Sequence, residues 1–117
     1  MEFKRYADIK RLNFIIGVLQ HNLPKGAEVL DVGCGNGVIS RALGENGFNI
    51  RGIDVSEKAI EKAKSLNTFS NVIFESVSAE QLVADGKKYH AVICSEVLEH
   101  LNAPGKLLSV LHNIIDD

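Results

Sequence analysis

Three glycines, Gly33, Gly35 and Gly37, alternate through the stretch VLDVGCGNG at Val29–Gly37. Glycine takes positive φ for a sharp turn and has no Cβ to hold a ligand off the backbone. A helix opening behind such a loop, here near Val38, offers free N–H groups to a negative group. Two acids flank the loop: Asp31 just before it and Asp54, 21 residues past Gly33. An acid at the end of a second strand is placed to accept hydrogen bonds from ribose hydroxyls. Loop and acid together predict a nucleoside-bearing cofactor. The dinucleotide fingerprint G-x-G-x-x-G/A, counted from Gly33, would end at Val38, which is neither Gly nor Ala. The third glycine comes one residue early. Asp31 at the strand exit would repel a pyrophosphate but could receive a cationic amino group. Both features disfavour an NAD-dependent enzyme.

A second group of chemically capable residues lies in EVLEH. On a helical turn Glu96, Glu99 and His100 share one face. Two carboxylates and an imidazole are plausible ligands for a divalent cation, which would polarise a substrate hydroxyl. The competing reading makes His100 a substrate-side base or a packing residue, with no metal. A metal site would want a further ligand, and His112 reads as a surface residue, so a metal is not the expectation. His21, near a helix end, can meet the helix dipole. His90 begins a strand and has no evident partner. Cys34 and Cys94 form no CxxC pair and read as reduced thiols of a cytosolic protein.

These residues need a scaffold. The chain has 117 residues, enough for one domain or a piece of one. With 45% hydrophobic residues it can bury a core, and with no Trp that core must be mainly aliphatic. A net charge of −2 argues against a general nucleic-acid or membrane-surface binder, so nucleic acid is not indicated as a partner. The N-terminus MEFKRYADIK lacks the apolar core of a signal peptide, and no apolar run approaches the ~20 residues of a membrane span. A cytoplasmic location is expected.

Apolar residues from Phe3 to Leu23 recur near helical spacing and predict a helix that stops at Pro24-Lys25-Gly26. Four strand-like runs follow, at Glu28–Val32, Ile50–Asp54, Val72–Val77 and Ala91–Ser95. Helical stretches separate them: Val38–Glu45, then Glu57–Leu66 with Ser56 as its cap, then a short helix. Asp85-Gly86-Lys87-Lys88 reads as a polar turn. A last helix is expected from near Pro104. This alternation predicts an α/β protein, with a parallel sheet and helices on both faces. The expected layout is a single domain over 1–117, with an N-terminal helix over 1–25 and the core over 26–117.

At this point four segments, in order, resemble the motifs of the class I S-adenosylmethionine-dependent methyltransferases, a Rossmann-like family. VLDVGCGNG resembles the first motif, GIDVS (Gly52–Ser56) the second, SAE (Ser78–Glu80) the segment flanking the adenine, and YHAVICSEVLEHL (Tyr89–Leu101) the fourth-strand motif. They span Val29–Leu101. The EVLEH turn is also similar to that of ubiquinone-pathway O-methyltransferases. The resemblance implies S-adenosyl-L-methionine as cofactor and S-adenosyl-L-homocysteine as product. It implies that Gly33, Cys34, Gly35, Asn36 and Gly37 pass close to the methionine part and ribose, with Asp31 near the amino group directly or through water. Asp31 acting only as a cap or loop orienter is the plainer alternative. Asp54 would bind the ribose hydroxyls and Val55 would pack on the adenine. Ala79 and Glu80 would border the adenine, Glu80 being equally readable as a solvated acid at a helix start. Ser95 and Glu96 would lie beside the methionine.

The resemblance also implies strand order 3-2-1-4 for the four strands present, in a family sheet that is larger. The fourth strand would then be an open apolar edge. A truncated piece, a natural fragment or a dimer through that edge would each account for it. The expected function is direct displacement at a sulfonium methyl, with a small molecule the favoured acceptor. The alternative is a cofactor-binding module without turnover.

Overall fold

The computed structural model describes the backbone of residues 2–94 and the side chains of residues 12–94. An N-terminal helix α1 (Glu2–Asn22) precedes four parallel strands: β1 (Glu28–Val32), β2 (Asn49–Ile53), β3 (Val72–Glu75) and β4 (Ala91–Cys94). Helices α2 (Val38–Glu45), α3 (Glu57–Leu66) and α4 (Ala79–Asp85) make the crossovers. The strand order is β3-β2-β1-β4, as expected. Register runs Val29↔Ile50 and Val29↔Ala91, then Ile50↔Val72, so the carboxyl ends of the strands align at Val32, Ile53, Glu75 and Cys94.

Strand alternation sorts the side chains into two cores. Val29, Ile50, Val72 and Phe74 face one way and pack with Ile15 and Leu19 of α1, Leu43 of α2, and Ile60 and Ala63 of α3. Leu30 and Ile53 face the other way, against Ala79 and Leu82 of α4 and Tyr89. Helix starts follow the sequence chemistry. Ser56 accepts a hydrogen bond from the Ala59 N–H at 3.2 Å, and Ser78 with Gln81 forms a reciprocal capping box. Gly86, at φ 74°, closes α4 in the turn read as polar.

Strands two and three end one and two residues earlier than expected. Asp54 lies just past β2, where its carboxylate turns to the loops rather than into the ladder. Ser95, the expected last residue of the fourth strand, and the helix expected from near Pro104 lie outside the described residues.

Candidate cofactor site

The strand order changes direction at β1, which leaves a crevice at the β1 and β4 exits, the usual ligand position in open α/β sheets. Gly33, Gly35 and Gly37 occupy the β1 exit with φ of 68°, 56° and 82°. The loop is anchored to the neighbouring strand exit. Cys34 N–H donates to the Ile53 carbonyl at 3.0 Å, and Gly37 N–H to the Cys34 carbonyl at 2.9 Å. Gly37 also packs on Phe74: a Cβ there would stand 2.4 Å from the ring. Gly35 differs, since a Cβ there would point into open space. The loop is thus packed on its underside and open above, the shape a ligand lying on backbone requires.

Asp54 ties this loop down. Its Oδ2 accepts from Gly35 N–H at 3.0 Å and its Oδ1 from Ser56 N–H at 2.9 Å. Each carboxylate oxygen has a second lone pair, so the group can still accept from a vicinal diol. Val55, next to it, is 76% exposed, an apolar surface beside the acid with no protein cover. Ala79 is buried and Glu80 is exposed in the first turn of α4. Asn36 is exposed at the loop tip.

Asp31 is placed differently. It is wholly buried, and its Oδ2 accepts from Ser40 Oγ of α2 at 2.6 Å. A ligand in the crevice meets the loop before it meets this carboxylate, so Asp31 orients loop and helix and can act on a ligand only through its charge. Its charge nevertheless reaches the site. Burial pushes the Cys34 thiol from 9.0 up to about 12, reinforced by the charges of Asp31 and then Asp54. Burial and Asp31 push Cys94 up to about 11. Both cysteines are neutral thiols at pH 7 and unsuited to nucleophilic work.

The structure thus brings Asp31, Gly33, Cys34, Gly35, Asn36, Gly37, Asp54 and Val55 to the first two strand exits, and Ala79 and Glu80 to the helix after the third. Ser95, Glu96, Glu99 and His100 lie outside the described residues. Among the described residues no group of three or more His, Cys, Asp and Glu could hold a metal ion. His90 proves structural: its Nδ1 accepts from Glu28 N–H at 3.0 Å and its backbone N–H donates to the Glu28 carbonyl at 2.9 Å. Three supporting residues were not singled out from the sequence: Ser40, Phe74 and Gly52. A Cβ on Gly52 would lie 2.7 Å from Phe74 and 3.0 Å from Ser40 Oγ. The one signal for them was Gly52 itself, since a glycine inside a strand marks close approach of a neighbour.

Comparison with known proteins agrees with this arrangement. A family model described as a methyltransferase domain matches residues 3–117. The ubiquinone biosynthesis O-methyltransferase of Neisseria meningitidis is 32% identical over 97% of this chain and 50% of its own length. That of Dechloromonas aromatica is 36% identical over the same shares, 97% and 50%. This chain therefore spans about half the length of these relatives. Among solved structures, magnesium protoporphyrin IX methyltransferase from Synechocystis, crystallised with S-adenosylmethionine, superposes with a TM-score of 0.76 at 30% identity. The match covers 96% of this chain and 56% of that one. With four parallel strands in the matching order and a family match over almost its full length, the chain belongs to the class I, Rossmann-like methyltransferase-domain family.

Proposed function

We propose that this chain binds S-adenosyl-L-methionine at the β1–β2 exits and serves methyl transfer to a small-molecule acceptor. The observation that carries the reading is the pairing of an open-topped glycine loop with Asp54, which pins Gly35 and keeps lone pairs for a diol. Gly33, Cys34, Gly35, Asn36 and Gly37 form the backbone cradle of the methionine and ribose. Asp54 takes the ribose hydroxyls, Val55 packs on the adenine, and Ala79 and Glu80 border it. Asp31 supplies negative charge beneath the amino-acid end. Ser95 and Glu96 complete the methionine side in this reading, with His100 the candidate base.

When bound, the cofactor supplies an electrophilic sulfonium methyl, and S-adenosyl-L-homocysteine remains after transfer. The protein's task is then to hold acceptor and methyl in line, with no nucleophile of its own. The relatives matched over 97% of this chain are O-methyltransferases of ubiquinone biosynthesis, which favours an oxygen acceptor on a small molecule. No metal enters the proposal. Glu96, Glu99 and His100 lie outside the described residues and are given no metal in this reading. Residues 1–117 are read as one domain, 1–25 its helix and 26–117 its core. No described helix is long and apolar enough to cross a membrane, and a cytoplasmic location belongs to the same reading. So does a dimer through the β4 edge.

Calorimetric titration with S-adenosylmethionine, S-adenosylhomocysteine and NAD tests the proposal. Binding of the first two and not of NAD is expected. Binding of NAD alone would overturn it.

A further inference from the structure

Two fully buried polar side chains meet beneath the glycine loop. Ser40 Oγ donates to Asp31 Oδ2 at 2.6 Å, and neither residue has any exposed surface. A buried carboxylate is costly unless donors satisfy it, and a hydroxyl donor to a charged acceptor makes one of the stronger hydrogen bonds. Space for Ser40 is kept by Gly52 of β2, whose missing Cβ would otherwise lie 3.0 Å from Ser40 Oγ. Three elements therefore converge to fix one carboxylate: β1 carries it, α2 donates to it and β2 leaves room for the donor.

The placement of this charge is informative. Asp31 is registered opposite Gly52 on one side and Ile93 on the other. Burial first, and the Asp31 charge after it, raise both Cys34 in the loop and Cys94 at the end of β4. By position Asp31 stands on β1 with β4 as one of its two neighbours, whereas Asp54 lies just past the end of β2. Under the function proposed above, the β2 side receives the nucleoside and the β4 side the cationic amino-acid end.

We infer that Ser40 is a positioning residue for cofactor recognition: by holding Asp31 as a buried, oriented carboxylate it sets affinity for the amino-acid end of the cofactor, and not for the nucleoside end. This rests on the methyltransferase reading of the site and adds a residue to it. Ser40 touches no ligand and acts only through Asp31.

The test is calorimetry on the full chain with two ligands. S-adenosylhomocysteine carries the amino-acid end; 5′-methylthioadenosine shares the nucleoside and lacks it. Ser40→Ala is expected to weaken S-adenosylhomocysteine about tenfold, the scale of one hydrogen bond to a charged group, and to leave 5′-methylthioadenosine within about twofold. Ser40→Cys, which replaces the hydroxyl by a slightly larger and much weaker donor, should behave like Ser40→Ala and keeps the test valid if the smaller side chain disturbs folding. In an Asp31→Asn background Ser40→Ala should cost little more, because the two act as one unit. Equal loss of both ligands, no loss of either, or fully additive losses would each overturn the role of Ser40 while leaving the cofactor assignment standing. A wild-type chain that binds neither ligand would overturn the cofactor reading, and this inference with it.

Discussion

Asp54 has two duties, and they can be separated by substitution. Its oxygens already accept from Gly35 and Ser56 backbone N–H groups, so the loop is shaped before any ligand arrives. Replacing Asp54 with Ala removes both the loop tie and the ribose acceptor. Affinity for S-adenosylhomocysteine should fall about a hundredfold, the scale of two hydrogen bonds to a charged group at ~1.5 kcal/mol each. Calorimetry reads this directly, and unchanged affinity would remove Asp54 from the site. The cysteines make a second residue-level prediction. Folding raises the Cys34 thiol to about 12 from 9.0, so between those values the folded chain holds a proton that the unfolded chain has released. Stability from this group is therefore intact below about pH 9 and is lost as pH climbs toward 12. Thermal melts across that window should fall less steeply for Cys34→Ala than for the native chain. At pH 8 neither thiol should react with iodoacetamide unless the chain is unfolded. The acid at the strand exit and the alternating glycines were legible as residues in the sequence. The burial of Asp31 was not, because the hydroxyl that accompanies it sits nine residues away on a helix, where a lone serine reads as solvent-facing.

The packing of α2 on the sheet shows why element-level detail escaped the sequence. Phe74 of β3 fills the space left by Gly37 at the start of α2 and by Gly52 of β2. These contacts join residues more than twenty positions apart, and nothing in a period-two strand pattern specifies which glycine faces which ring. Strand and helix existence, by contrast, followed from local pattern. Glu28–Val32, Val38–Glu45 and Glu57–Leu66 form where the periodicity and the Ser56 cap place them. The second strand ends one residue short where the loop begins: the Asp54 carboxylate binds Gly35 N–H, while its own N–H still donates to the Glu75 carbonyl at 3.3 Å. Gly52 offers a clean test, since its φ is not in the left-handed region and only space is at issue. Gly52→Ala should destabilise the chain by about 1–3 kcal/mol through overpacking against Phe74. Phe74→Leu introduced with it should recover part of that loss in chemical denaturation. A Gly52→Ala chain as stable as the native one would show that the ring is free to move aside.

At the scale of the whole molecule, the sheet puts its chemistry along one end. The β1 and β2 exits and the helix after β3 carry every described candidate residue, while β4 supplies the far wall of the crevice. Its Val92, Ile93 and Cys94 line an apolar hollow of about 340 Å³ with Phe14 and Val18 of α1, and Phe14 is 71% exposed. Among the described residues β4 is the outermost strand on its side of the sheet, and an apolar edge there favours pairing. Sedimentation should accordingly show a concentration-dependent dimer, and a monomer at every concentration would remove the β4 edge from the proposal. Fold class was legible because a parallel α/β alternation permits few topologies, whereas the strand order came from the family resemblance of the four motifs. The acceptor was not, since this scaffold serves many nucleophiles. The central claim is that the glycine loop and Asp54 hold the ribose of a methionine-derived nucleoside. A crystal structure of the chain with S-adenosylhomocysteine tests it most directly. The account predicts the ribose hydroxyls within hydrogen-bond distance of the Asp54 carboxylate and the ligand lying over Gly35. A ligand bound elsewhere, or a ribose turned away from Asp54, would contradict it.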